Sequence, residues 1–261
     1  MALLKLNYFS SQLGMCMSSL VVLPQRAKEY AREGERFKTL WLLHGRSDDE
    51  TIWERRTSIE RYVSHLGLAV VMPCAHLSAY ADMAHGGRYY TYIAKELPAI
   101  MRNLLPLSDA REDNYIAGLS MGGAGAMKIG LANCESYCAI GCLSAGGINL
   151  GRKDTPEAQA RAYMLYGDRE LGGTEEDVFE NARAALADHK PLPRIYHSCG
   201  AQDFILPSAL STRDFFMGLM DNPFDYVYEQ DEGTHCWEYW DVHIQRFLKF
   251  IGLEKQDGFL D

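Results

Sequence analysis

The sequence is short of several things, and each shortage closes off a class of function. No run approaches the roughly 18 apolar residues that a membrane-spanning helix needs, so no membrane partner is expected. The start, Met1-Ala2-Leu3-Leu4-Lys5-Leu6-Asn7, lacks a basic region followed by a sustained apolar core, so no secretory signal is expected. Positive charge is scarce: 26 Lys and Arg against 35 Asp and Glu leave a formal net charge of −9. That balance argues against nucleic acid and against an anionic membrane surface. The seven cysteines are odd in number and contain no Cys-x-x-Cys, which points to a reducing compartment, the cytoplasm. Cys134, Cys138 and Cys142 recur at every fourth residue, as helix-borne metal ligands would. However, Ala139 to Leu143 reads as a buried strand, where free cysteine packs well, so no metal is expected. Gly-x-Gly-x-x-Gly and Gly-x-x-x-x-Gly-Lys-Ser/Thr are absent from the glycine-rich tract at 118–125, and with them the nucleotide fingerprints. No internal repeat, low-complexity tract or linker is seen.

What is present is a chain of 261 residues, 47% hydrophobic and 23% charged, long enough for one large α/β domain over 1–261. Two alternating strands are expected over 3–23, broken near Gln12-Leu13-Gly14, and a charged loop over 27–37. Continuous apolar runs at Thr39–Leu43, Leu68–Pro73, Tyr115–Leu119 and near Tyr137–Ser144 read as strands buried on both faces. Ser47-Asp48-Asp49-Glu50 has capping-box spacing and predicts a helix from there to about His65, its acids favouring the helix dipole. Helices are also expected over Thr91–Leu105, from the elbow to about Ala132, over Ser208–Met220 and over Trp237–Ile251. Strands at Arg194–Gly200 and Phe224–Glu229 complete a mostly parallel sheet with helices on both faces. Residues 145–190, with helical patches at Pro156–Leu165 and Glu175–Ala187, interrupt this rhythm. They read either as a lid inserted over the sheet's carboxyl edge or as two peripheral helices.

The chain is organised around Tyr115-Ile116-Ala117-Gly118-Leu119-Ser120-Met121-Gly122-Gly123-Ala124-Gly125-Ala126. It reads as strand, Gly-x-Ser-x-Gly turn and helix: a nucleophile elbow that exposes one serine in a strained backbone conformation. Side chains at Gly118 and Gly122 would collide across the turn. The rival readings are an incidental serine in a glycine-rich turn and an anion-binding loop.

A serine hydroxyl needs a base, and the base needs an acid that fixes its tautomer and stabilises its charged form. For a serine on such an elbow the chain order is serine, acid, histidine. Cys199-Gly200-Ala201-Gln202-Asp203 offers the acid just after a strand, and Gly233-Thr234-His235-Cys236-Trp237 offers the histidine just before the last helix. His197 falls inside a strand, His243 inside the final helix, and His65 and His189 near helix ends. Asp231 shares the histidine's loop and is expected to shape its turn, while Asp214 and Asp225 read as exposed. For the oxyanion, one donor is the backbone N–H of Met121, and the other comes from the loop after Leu43. Arg46 is favoured there, with Gly45 as the fallback, and the His44 side chain is expected to be structural. Trp53, Tyr89, Tyr90 and Trp237 are candidate pocket walls, although large aromatics commonly fill cores.

Five motifs occur in order from about residue 40 to the final helix. They are Leu42-Leu43-His44-Gly45, Val70-Val71-Met72-Pro73, Tyr89-Tyr90-Thr91 with Lys95-Glu96-Leu97-Pro98, Ala117 to Gly123, and His235-x-Trp237-x-x-Trp240-Asp241. With them the chain resembles the esterase D-like branch of the α/β-hydrolases, and is most similar to the bacterial tributyrin esterase and feruloyl esterase members. The 145–190 region matches only loosely. The resemblance implies a cofactor-free serine carboxylesterase acting on short acyl chains, including acetyl or hydroxycinnamoyl esters of sugars. It implies Ser120, Asp203 and His235 as triad and a two-step reaction through an acyl-enzyme. S-formylglutathione hydrolases of this branch typically carry Ser-Gly-Leu-Thr-Cys where this chain has His44-Gly45-Arg46-Ser47-Asp48, which weighs against a glutathione thioester. A thioesterase or acyltransferase, a non-catalytic binding protein on the same fold, and a scaffold built on the inserted region remain as rivals. The partner expected is a small-molecule ester, and the sequence leaves a homo-oligomer open.

Overall fold

A computed structural model describes residues 1–146 and 155–260. The part of the lid expectation that falls on 147–154 lies outside the described residues. Among the described residues eight strands form one sheet in the order β1-β2-β4-β3-β5-β6-β7-β8. β1 (Ala2–Ser10) and β2 (Met15–Leu23) make an antiparallel hairpin, and β2 runs antiparallel to β4 (Leu68–Pro73). From β4 onward the sheet is parallel: β3 (Lys38–Leu43), β5 (Asn114–Leu119), β6 (Ala139–Leu143), β7 (Arg194–Ser198) and β8 (Val227–Glu229).

The unbroken apolar runs make sense in this sheet because each central strand feeds two cores. On β3, Trp41 and Leu43 point into one cluster, and Leu40 and Leu42 into the other. The first cluster takes α3 (Tyr89–Thr91), α4 (Leu97–Leu104), α5 (Met121–Ala132), α7 (Val178–Ala187) and α8 (Leu206–Met217), through residues such as Tyr92, Leu97, Met127, Ala182 and Phe216. The second takes α1 (Ile52–Arg56), α2 (Ile59–Val63) and α9 (Trp237–Phe250), through Trp53, Ile59, Val63, Trp240 and Phe247. Helices therefore cover both faces.

Two helices differ from expectation. The helix predicted from Ser47 to His65 begins later and is split. Ser47 has φ of 75°, incompatible with a helix start, and the Asp49 side chain instead closes a turn on Thr51, accepting from its N–H at 2.9 Å. Thr57 then ends α1, its hydroxyl donating to the Trp53 carbonyl at 2.6 Å and accepting from the Ile59 N–H. The helix expected over Thr91–Leu105 starts at Tyr89 and contains a π-helical turn, Tyr92–Glu96, between α3 and α4. In the inserted region the chain forms α6 (Pro156–Tyr166) and α7, with side-chain N-caps from Thr155 and Asp177. No helix among the described residues is long and apolar enough to cross a membrane.

Candidate active site

The strand order reverses at β3: the chain leaves β3 for β4 on one side and returns to place β5 on the other. Crevices at such points lie outside the carboxyl ends of the strands. Leu43 pairs with Gly118, so the loop after β3 and the elbow after β5 are neighbours. At the elbow Ser120 has φ 52° and ψ −119°, a conformation disfavoured for a residue with a Cβ. Surrounding backbone holds it there. A Cβ at Gly118 would lie 2.5 Å from Gly122 carbonyl atoms, and one at Gly122 would lie 2.5 Å from the Leu43 carbonyl oxygen. The Ser120 N–H donates to the Leu143 carbonyl at 2.8 Å and its carbonyl accepts from the Ala124 N–H at 3.0 Å.

The structure brings Ser120, His235 and Asp203 together. His235 Nε2 is 2.9 Å from Ser120 Oγ, and His235 Nδ1 is 3.0 and 2.9 Å from the two Asp203 carboxylate oxygens. Burial opposes the charge on Asp203, but the His235 ring and the Ile205 N–H, at 2.9 Å, outweigh it and hold the carboxyl below its ordinary range. An ionised Asp203 fixes the proton on His235 Nδ1 and leaves Nε2 free to accept from Ser120. The loops carrying the two residues are bonded to each other. Gln202 N–H donates to the Gly233 carbonyl at 2.9 Å, Gly233 N–H to Gln202 Oε1 at 2.7 Å, and Ala201 N–H to the Asp231 carbonyl at 2.8 Å. Behind His235, Trp240 meets its ring edge-on at 4.9 Å and stacks in the same T-shaped manner with Trp237.

His44 reaches the site through the backbone. Its Nε2 accepts from the Ala75 N–H at 2.9 Å, which puts the ring proton on Nδ1, donated to the Gly45 carbonyl at 2.7 Å. Burial depresses its pKa and keeps the ring neutral. The Gly45 carbonyl and the Arg46 N–H belong to one trans peptide group, so anchoring the carbonyl aims the N–H the opposite way. No described residue accepts from the Arg46 N–H. Met121 opens α5, where N–H groups lack partners within the helix. Arg46 and Met121 both line the cavity that holds Ser120 and His235, whereas Gly45 is buried outside it.

That cavity is about 650 Å³. The four aromatics expected as its walls are elsewhere, because each is held by the fold. Trp53 is buried and donates to the Leu43 carbonyl at 3.0 Å, with Trp237 edge-on to it at 5.2 Å. The Tyr89 hydroxyl bonds His76, and the Tyr90 hydroxyl accepts from Asn133. The walls come instead from Leu77, Phe204, Lys128, Glu176 and the α6 residues Arg161, Leu165 and Tyr166. Of these, Lys128 left a signal, as the lone charge in the otherwise small and apolar α5 sequence. Two further histidines are placed as expected: His197 is fully buried between the Tyr226 hydroxyl and the Ala145 carbonyl, and His243 is buried in α9. Asp214 and Asp225 are exposed, in ion pairs with Arg213 and Arg194.

Comparison with known proteins gives the family. Residues 10–251 match the family described as "Putative esterase". The chain is 30% identical over 264 residues to an acetyl esterase of Caldicellulosiruptor saccharolyticus, covering 96% of this chain and 98% of that protein. It superposes with a TM-score of 0.86 on substrate-bound fluorophosphonate-binding serine hydrolase F of Staphylococcus aureus, at 36% identity, over 96% of this chain and 98% of the other. An S-formylglutathione hydrolase from Staphylococcus aureus gives a TM-score of 0.81 at 35% identity with the same coverages. The chain therefore belongs to this esterase family, on the esterase D-like branch of the α/β-hydrolases, and is a serine hydrolase of carboxylic esters.

Proposed function

We propose that the chain hydrolyses short-chain acyl esters, among them acetyl or hydroxycinnamoyl esters of sugars, through Ser120, His235 and Asp203. The observation that carries this reading is the hydrogen-bonded line from Asp203 through His235 to Ser120 Oγ on a strained elbow. His235 takes the Ser120 proton as Oγ attacks the ester carbonyl. The oxyanion accepts from the Met121 and Arg46 N–H groups, and the alcohol leaves with the proton from His235. Water, deprotonated by the same ring, then attacks the acyl-enzyme and frees the acid. Similarity to an acetyl esterase supports a short acyl group, and a cavity of about 650 Å³ leaves room for a sugar or an aromatic acyl group as well. In this reading α6 and α7 cap the cavity, and seven free cysteines fit a cytoplasmic setting.

The test is a series of p-nitrophenyl esters from acetate to long acyl chains, wild type beside Ser120→Ala. The expected profile falls beyond short chains and is lost in the variant. A flat zero for wild type on every ester would sink the proposal. Similarity to an S-formylglutathione hydrolase favours one second reading, a thioesterase using the same triad. Relative kcat/KM on matched oxygen esters and thioesters separates the two.

A further inference from the structure

The cavity beside Ser120 is lined largely by small and apolar side chains, yet a buried ion pair reaches its wall. Lys128 and Glu176 are 4% and 8% exposed and meet at 2.8 Å. Lys128 lies on the elbow helix α5, and at 1.5 Å per residue it sits roughly 10 Å along the axis from Met121. Glu176 comes from the turn before α7, on the facing segment.

The hydrogen bonds of the pair are incomplete. Lys128 Nζ donates to Glu176 Oε2 at 2.8 Å and to the Ala79 carbonyl at 3.0 Å, which uses two of its three protons. Glu176 Oε1 is buried and no donor meets it at full hydrogen-bond geometry among the described residues, although the Tyr166 hydroxyl on the same wall also acts on this carboxylate. A buried carboxylate oxygen without a donor costs stability, and a buried ion pair is in general a weak source of it. A pair serving only to tie α5 to the cap would take donors for both oxygens from the protein. Burial works against each charge, lowering the Lys128 pKa and raising that of Glu176, so both ions depend on contacts made here.

The pair is neutral overall and offers nothing to hold an ion. It lacks one donor, for Glu176, and one acceptor, for Lys128, and a hydroxyl group is both at once. We propose that Lys128 and Glu176 form a hydroxyl-recognition subsite for the ester attacked by Ser120. A substrate hydroxyl remote from the scissile carbonyl donates to Glu176 Oε1 and accepts from Lys128 Nζ. The subsite selects for esters that carry such a hydroxyl, and it rests on the esterase reading above.

Two matched pairs of esters test it and separate the two sources of the hydroxyl. Methyl 4-hydroxycinnamate beside methyl cinnamate places it on the acyl group. 2-(4-Hydroxyphenyl)ethyl acetate beside 2-phenylethyl acetate places it on the alcohol. The quantity read is the kcat/KM ratio within each pair, which a general loss of folded enzyme does not change. Wild type is expected to favour the hydroxylated member of one pair by about 10-fold or more, and the pair that responds assigns the side. Glu176→Gln keeps the bulk and a bond to Lys128 but replaces the carboxylate, and Lys128→Met with Glu176→Leu removes both charges. In each the ratio is expected to fall to near one. Ratios near one for both pairs in wild type would overturn the subsite, as would a wild-type preference that survives in both variants. A fluorophosphonate probe run alongside distinguishes the levels of failure. Labelled, active enzyme without preference discards the subsite alone, while enzyme that neither labels at Ser120 nor hydrolyses any of the four esters discards the esterase reading and the subsite with it.

Discussion

The two sides of the cavity are built differently. On the sheet side, Ser120, Asp203 and His235 stand on turns packed against backbone, where a Cβ at Gly122 or Gly200 would run into the Leu43 or Gly233 carbonyl. On the facing side, the stretch from α6 to α7 is largely exposed at its surface, and Gly172 and Gly173 have nothing within 4 Å of an added Cβ. The sheet side fixes three side chains to within hydrogen-bond distance and tolerates little substitution. The facing side supplies shape and polarity to the pocket through side chains such as Leu165, Tyr166 and Glu176. In the proposed reaction the chemistry sits on the rigid scaffold, and selection of the substrate on elements free to vary.

Substitutions should expose this difference, the largest effect coming from the nucleophile. Ser120→Ala is expected to lower kcat/KM on a good ester by roughly 10⁶-fold, with the melting temperature little changed because alanine keeps the Cβ and the same backbone conformation. Steady-state kinetics and a thermal melt check both. Asp203→Asn should lose about 10⁴-fold, because an amide no longer fixes the His235 tautomer. The next effect is on stability. Gly200→Ala forces the Asp203 and His235 loops apart and should cost about 1–3 kcal/mol, whereas Gly172→Ala should stay within about 0.5 kcal/mol. Equal melting shifts in these two variants would erase the contrast between the two sides. The smallest effect is on pH dependence. The Asp203 carboxyl is held low, so its ionised form contributes stability above the unfolded carboxyl pKa of about 3.9, a contribution lost as pH falls through the folded value. The melting difference between wild type and Asp203→Asn should therefore shrink between pH 7 and pH 3, and a difference that widens on acidification would contradict the assignment.

The same contrast governs what could be read from the sequence. The elbow was legible because steric demands leave only glycine at 118 and 122, and those demands are local. The placement of Asp203 and His235 within hydrogen-bond reach of each other and of Ser120 was legible because strand, turn and helix signals surround each of them. Trp53, Tyr89, Tyr90 and Trp237 were assigned to the pocket on residue type alone, and type does not say which face of the sheet an aromatic covers. The Ser47 cap failed because its spacing was right while its backbone turns left-handed, a conformation composition does not reveal. Glu176 was illegible for a different reason: its meaning comes from a lysine 48 positions away across the cavity.

The central claim is that Ser120 is the nucleophile, and covalent trapping tests it most directly. Wild-type protein is treated with a fluorophosphonate, digested, and the adduct located by tandem mass spectrometry, with Asp203→Asn treated in parallel. The account predicts a single adduct on the peptide containing Ser120, forming more slowly in Asp203→Asn and absent in Ser120→Ala. An adduct on another residue, or a Ser120 adduct forming at the same rate without Asp203, would contradict it.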